Sequence, residues 1–304
     1  MIVTEPAAFL AAFDDERFAP RAPATARAAF LVAPADFSLA AESARDNRYM
    51  DLAARPDPLR ALAEHATLAR RIGADLPTVC FPGNPDCPDG LFPNNVFATA
   101  PGRLIVGRMR HAVRRREAAR GDIRAFFADT LGYRTIDLSH EPFVAELTGS
   151  LVIDRARGIG YCGLSERCDA DGARAMHEAF GLRLTFCFAL AAGEYHTNVV
   201  LALLAGRTAI LAPDGFADPA VPAAIARAYG DRAIWLTPEQ KRAYAGNAIS
   251  LTTDRVWISE RAADALTPDQ HAALQRWGWT IGSVDLATIE TAGGSLRCCV
   301  AEIY

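Results

Sequence analysis

The chain has 304 residues, 51% of them hydrophobic, with 32 Lys and Arg against 36 Asp and Glu for a formal net charge of −4. That length and apolar content suffice for one large α/β domain, and the acidic balance leaves no basic footprint of the kind a nucleic-acid partner would need. No apolar run approaches the roughly 20 residues of a membrane helix; the longest, 199–205, is far too short.

Residues 1–25 stand apart as an N-terminal extension. Met1 to Glu5 lacks a basic start followed by an apolar run, so no secretory signal is expected. The pattern at 7–13 suits a short helix, and Arg21-Ala22-Pro23-Ala24 reads as a linker. From residue 26 to 304 we expect a single catalytic domain. It opens with a strand-like run at 28–33, a helical pattern at 57–72 and another strand at 77–81. Residues 82–93 are rich in Gly, Pro, Asn and Asp and read as a loop able to serve as a lid.

A repeat then emerges. Strand-like runs at 96–99 and 104–107 flank a turn at Pro101-Gly102. A helical pattern follows at 114–131, with Ile123, Phe126, Phe127 and Leu131 on its apolar side, and a strand at 133–138 ends the unit. The order strand, strand, helix, strand returns at 150–154, 158–162, 170–181 and 183–188. It returns again at 197–204, 207–212, 219–229 and 233–236, and once more at 248–252, 255–259, 268–277 and 279–284. A last run at 296–303 completes the unit begun at 28–33. Five units with a period near 50 residues, one split between the termini, predict a closed five-bladed α/β propeller of pseudo-fivefold repeats. A doubly wound nucleotide-binding sheet would need a glycine-rich loop between strand and helix, and none is present.

Seven cysteines fall at 80, 87, 162, 168, 187, 298 and 299. The odd count, with 80, 162, 187 and 299 in strand-like runs, predicts buried thiols in a reducing, cytoplasmic setting rather than a disulfide framework. No Cys-x-x-Cys and no zinc-spaced His pair occurs, so no structural metal is expected. His65, His177 and His271 fall in helical patterns and are expected at the surface; His111 and His140 lie in loops.

The reactive residue types open the units. Asn94 and Asn95 precede one first strand and Glu146 the next; His196 and Asn198 open the third, Asn247 the fourth, and Cys298 the fifth. Equivalent points of a ring meet at its axis. A thiol, an imidazole, a carboxylate and several amides would then share one pocket, the set that covalent catalysis requires.

These residues also carry a resemblance. Pro34-Ala35-Asp36-Phe37, Asn47-Arg48-Tyr49-Met50, Asp89-Gly90-Leu91-Phe92-Pro93-Asn94-Asn95, Arg114-Arg115-Arg116-Glu117, Glu146-Leu147-Thr148-Gly149, Leu164-Ser165-Glu166-Arg167, Tyr195-His196-Thr197-Asn198 and Gly293-Gly294-Ser295-Leu296-Arg297-Cys298 occur in this order over most of the chain. Together they resemble the pentein superfamily of guanidine-modifying enzymes, which includes arginine deiminases, dimethylarginine dimethylaminohydrolases, amidinotransferases and citrulline hydrolases. The resemblance implies that Cys298 is the nucleophile, that His196 is the acid–base group and that Glu146 holds the substrate nitrogens. It further implies that Arg167 and Arg114 grip the substrate α-carboxylate and that Asp89 sits near the α-amino group. Asn47, Asn94, Asn95 and Asn198 are expected to line the substrate. Cys299 is expected in the core.

Arginine deiminases place aspartates where this chain has Asn95 and Asn198. An amide is neutral and both donates and accepts, so it suits a ureido group better than a guanidinium cation, which favours an opposite charge in a dry pocket. The expected reaction is citrulline to ornithine, ammonia and carbon dioxide. Arginine dihydrolase and dimethylarginine dimethylaminohydrolase are the alternatives, and a non-catalytic pentein binding protein is the reading from another class. The expected partner is a small-molecule amino acid, with no cofactor, no nucleic acid and no membrane; a homodimer is compatible with the sequence.

Overall fold

A computed structural model of the chain describes residues 1–230 and 232–304. Its strands form five sheets. Phe97–Ala100 pairs antiparallel with Arg103–Val106, which pairs parallel with Arg134–Asp137. The same order recurs in Leu151–Asp154, Ile159–Leu164 and Leu184–Ala189, and in Leu201–Leu204, Thr208–Leu211 and Ala233–Trp235. A tight hairpin forces the antiparallel step, whereas a parallel step needs a crossover long enough to hold a helix. The unit split between the ends of the chain pairs Ala301–Ile303 antiparallel to Ala28–Val32, with Thr78–Phe81 parallel on the far side. First strands of neighbouring units lie side by side, Ala301–Ile303 by Phe97–Ala100 and Leu151–Asp154 by Leu201–Leu204.

The crossover helices follow their sequence signals. Pro58–Ile72 starts at Asp57, whose carboxylate accepts from the Leu59 amide, and has Pro58 in its first turn, where a missing N–H costs nothing. Ala170–Phe180 is capped by Asp169 and ends at Gly181, whose φ of +66° suits a residue without Cβ. Ala173, Met176 and Phe180 turn inward from it at helical spacing.

Four expectations are corrected. The fifth sheet has two strands, Arg255–Ser259 and Thr280–Val284; the run at 248–252 is reduced to a single bridge between Ile249 and Trp257. The chain reaches it through Tyr244 at φ +63° and the anchored side chain of Asn247, which leaves no room for a full strand. The helix expected at 114–131 is broken into Ala112–Arg115, Glu117–Ala119, Gly121–Ala125 and a π-helical turn at Phe126–Thr130. Its start is bent because Arg114 and Glu117 are buried together. His65 is buried rather than at the surface; it lies four residues after buried Ala61 and three before buried Leu68, on the inner stripe of its helix. Cys80 is exposed, on the outermost strand of its unit, while the other six thiols are buried and all seven are free.

The N-terminal stretch is integrated rather than loose. Ile2–Val3 adds a parallel strand to Leu184–Ala189. The helix Pro6–Phe13 buries Phe9 and Phe13, and the Phe9 ring stacks on Phe186 with centroids 4.6 Å apart. No described helix is long and apolar enough to cross a membrane.

Candidate active site

Each first strand is entered through a short turn, and these turns carry the reactive residues. Pro93–Asn95, Leu147–Ser150, Thr197–Val200 and Leu296–Cys299 are all one-turn helices. Gly149 is what allows them to approach: a Cβ there would lie 2.6 Å from Asn95 Oδ1 and 2.8 Å from His196 Nε2. The turns border a small, nearly closed pocket lined by Asn47, Asp89, Asn95, Arg114, Arg167, His196 and Cys298, among others. Asn198 does not line it and borders a different, small cleft. Asn94 is fully buried and does not line the pocket; its main-chain oxygen accepts from the Thr148 hydroxyl at 3.0 Å.

Cys298 Sγ is surrounded by amides. Asn247 Nδ2 donates to it at 3.3 Å, and Asn198 Oδ1 stands 4.0 Å away. Asn247 also ties the turns together, donating to the Asn198 carbonyl and accepting from the Cys298 amide. Burial pushes the thiol pKa up, and the Ser295 backbone and Asn247 work against it. Cys299, as expected, is fully buried in the core.

His196 and Glu146 form a buried pair, Nε2 to Oε2 at 2.8 Å. Burial works to raise the Glu146 pKa, but the Arg167 charge and the His196 hydrogen bond outweigh it and hold the carboxyl well below the usual range. Burial pushes the His196 imidazole down. The pair is therefore a carboxylate beside a neutral imidazole. An ionised carboxylate only accepts, so the proton resides on Nε2 and Nδ1 is left with its lone pair. That Nδ1 is buried and has no partner within the protein. The Glu146 loop is held by bridges from Ala145 to Arg108 and Cys168, and the Arg110 amide donates to Oε1 at 3.1 Å.

Both arginines are internally paired. Arg167 gives its Nε and Nη2 to Asp46 Oδ1 at 2.9 and 2.5 Å and its Nη1 to Glu146 Oε2 at 3.1 Å. Arg114 binds Glu117 through both fork nitrogens, at 2.9 and 2.8 Å. Burial works to lower the Arg114 pKa and Glu117 more than reverses it, so the guanidinium stays charged; burial in turn pushes the Glu117 carboxyl up to about 7. Asp89 accepts from Ser43 at 2.5 Å, burial raises its pKa, and its Oδ1 is unpartnered. Asn47 donates to the Gly293 carbonyl at 3.1 Å, and Gly293 at φ +78° leaves it room.

Sequence reasoning missed Ser43 and Tyr195 at this pocket and Asp46 behind Arg167; it placed Asn247 at a unit opening without giving it a role of its own. Asn247 opens a unit, so its position was a usable signal. Asp46 lies 121 residues from Arg167 in sequence, and nothing local marks it. Among the described residues no group of three or more His, Cys, Asp or Glu is placed to hold a metal ion.

Comparison with known proteins agrees with this architecture. Residues 33–304 match the family model described as N,N-dimethylarginine dimethylhydrolase, eukaryotic. No curated protein matches the chain. Among solved structures, the substrate-bound N-terminal domain of ArgZ, an arginine dihydrolase from the ornithine–ammonia cycle in cyanobacteria, superposes with a TM-score of 0.79. The identity is 16% over 91% of this chain and 97% of that one. The ternary complex of AgrE with ornithine and NAD+ gives a TM-score of 0.79 at 16% identity, over 91% of this chain and 39% of the larger one. A dimethylarginine dimethylaminohydrolase adduct with 4-chloro-2-hydroxymethylpyridine gives 0.70 at 21% identity, over 91% and 100%. The fold is the α/β fold of the pentein superfamily, in its arginine-modifying branch of hydrolases. Within it, the chain belongs to the N,N-dimethylarginine dimethylhydrolase family.

Proposed function

We propose that this enzyme hydrolyses the ureido end of citrulline, releasing ornithine, ammonia and carbon dioxide. The observation that carries the reading is the neutral surround of Cys298: the side chains beside its sulfur are the amides of Asn247 and Asn198. Uncharged amides beside the sulfur favour a neutral ureido group over a guanidinium cation, which would seek an opposite charge. In the free enzyme burial favours the thiol. The unprotonated Nδ1 of His196 is the base available to take its proton, and the Glu146 carboxylate stabilises the imidazolium that forms. The Cys298 sulfur then attacks the ureido carbon. The bond from that carbon to the ornithine side-chain nitrogen breaks, and His196 returns the proton to the departing amine. The carbamoyl thioester left on Cys298 is cleaved by water activated by His196; the carbamate released falls apart to ammonia and carbon dioxide.

Asp89, with its unpartnered Oδ1, suits the substrate α-amino group. Arg167 reaches the α-carboxylate by exchanging it for Asp46, while Arg114, committed to Glu117, shapes the pocket wall. Asn47 and Asn95 border the substrate. The five sheets, four of them with the same antiparallel-then-parallel strand order and two pairs of first strands side by side, read as blades of a propeller. Residues 26–304 then form one catalytic unit stiffened by the extension. Seven free thiols suit a cytoplasmic setting.

A second reading, conversion of arginine to ornithine through two hydrolytic rounds at the same cysteine, draws on the similarity to the arginine dihydrolase ArgZ. The test is turnover of citrulline, arginine and asymmetric dimethylarginine with Cys298→Ala as control. Ornithine from citrulline, abolished in the variant, is the expected result. Citrulline accumulating as the end product from arginine or dimethylarginine would overturn the assignment to a ureido substrate.

A further inference from the structure

A groove of about 520 Å³ lies apart from the cysteine pocket, where the end of the N-terminal extension passes the turn at 155–158 and the end of the helix Ala170–Phe180. Six arginines line it: Arg21, Arg27, Arg103, Arg155, Arg157 and Arg183. In a chain of net charge −4, this is no general surplus of base. Among the described residues only Arg157 meets a carboxylate, Asp154 at 3.5 Å, and Asp154 already accepts from the Tyr229 hydroxyl. The others are held by neutral groups. Arg103 donates to the Ala179 carbonyl, Arg155 to that of Thr99, Arg183 to those of Ala19 and Arg157, and Arg27 to the Tyr133 hydroxyl.

Two of the six have a structural task that explains them. Arg157 and Arg183 donate to the Phe18 and Ala19 carbonyls and lie over the rings of Phe13 and Phe18, pinning the extension. Among the described residues Arg21, Arg27, Arg103 and Arg155 form no ion pair, and Arg27 reaches the main-chain oxygen of Tyr304 only through the Tyr133 hydroxyl. Arg155 is also held flat, 4.1 Å from the Tyr304 ring and 5.3 Å from that of Phe180. Between the guanidinium groups the walls are apolar, with Pro23, Pro101, Ile153 and Leu182. Gathering like charges round an apolar concavity is costly unless something offsets them. A mainly apolar cleft with a few convergent polar groups is the usual form of a small-molecule site, and the planar guanidinium fork matches carboxylate and phosphate oxygens.

We propose that this groove binds an anion carried on an apolar body, its carboxylate or phosphate against Arg21, Arg103 and Arg155 and its body on Ile153 and Leu182. The proposal is independent of the reaction assigned to Cys298. It is tested by calorimetric titration of the full chain with adenosine monophosphate and with octanoate, each beside its uncharged counterpart, adenosine and octanamide, and with inorganic phosphate. One of the two anions is expected to bind once per chain, at least tenfold tighter than its neutral counterpart and than phosphate. Adenosine monophosphate prevailing identifies a nucleotide source, and octanoate a fatty-acid source. Binding is expected to weaken at least tenfold in the Arg21→Ser, Arg103→Ser double variant, with a native circular dichroism spectrum, and to be largely kept by the matching Lys pair. An anion no better than its neutral counterpart, or binding that survives the double Ser variant, would overturn the proposal.

Discussion

The cysteine pocket and the arginine groove treat charge in opposite ways. At the pocket each buried arginine meets a carboxylate: Arg114 with Glu117, Arg167 with Asp46 and Glu146. In the groove the arginines meet carbonyls, hydroxyls and rings. The difference follows from burial. An ion taken wholly out of water is costly unless paired within the protein, so the pocket compensates its own charges and keeps the sulfur's surroundings neutral. Arginines at a partly open groove keep water as a partner and tolerate the deficit.

The sharpest way to break this contrast is to unpair the pocket. Glu146→Gln removes the anion that Arg167 and His196 share. Loss of one partner of a buried ion pair costs roughly 3 kcal/mol of stability, and kcat should fall about 100-fold or more, since the imidazolium loses its counter-ion. Urea unfolding and steady-state kinetics read the two effects; a variant within threefold of the parent in kcat would show that Glu146 does not act through His196.

Charging the neutral side is the next test. Asn95→Asp places a carboxylate on the pocket wall near His196. It is expected to lower kcat/KM for citrulline about tenfold or more and to improve arginine relative to citrulline, because the guanidinium gains an opposite charge. An unchanged ratio between the two substrates would remove the amide argument.

The pH response comes third. Burial lowers the His196 pKa, so its neutral form persists below the ordinary imidazole value of about 6.5. The acid limb of kcat/KM should therefore lie below that value. Linkage has the same sign: the unfolded chain binds this proton more tightly, so the contribution to stability is present above about pH 6.5 and is lost as pH falls toward the folded value. His65, buried without a partner at Nε2 and pushed down to about 4, adds to the loss between about pH 6.5 and 4. Glu117, pushed up to about 7 by burial, works in the opposite direction over the same window; a stability difference between pH 7 and pH 5 that is unchanged in His65→Leu would contradict the His65 assignment.

The smallest effect belongs to the groove. Arg183 is lowered by burial and by the neighbouring charge of Arg21. Arg21→Ser should raise Tm slightly at low salt and not at high salt, where such repulsion is screened. A loss of Tm would instead show Arg21 holding the extension.

The spacing of apolar runs was enough to place four of the five first strands, the hairpins and most crossover helices, because these depend on periodicity within a dozen residues. The same spacing put Cys298, His196, Asn95 and Glu146 at unit openings, which the structure brings to neighbouring turns. It failed where tertiary demands outweighed local pattern. Arg114 and Glu117 turned inward and broke a helix, and an anchored Asn247 left one strand as a bridge.

By itself the amino-acid sequence determined the strand–strand–helix–strand unit, its recurrence in four of the five units expected and the residue types at each opening, since these are local matters of pattern and turn chemistry. Only the tertiary structure decided that Asp46 fills the fork of Arg167, that Asn247 touches the sulfur and that six arginines from distant segments share one groove. Those groupings join residues far apart in the chain, 121 positions for Asp46 and Arg167. Their distances exist only once the sheets are assembled, and a hydrogen bond or ion pair depends on distances of a few ångströms.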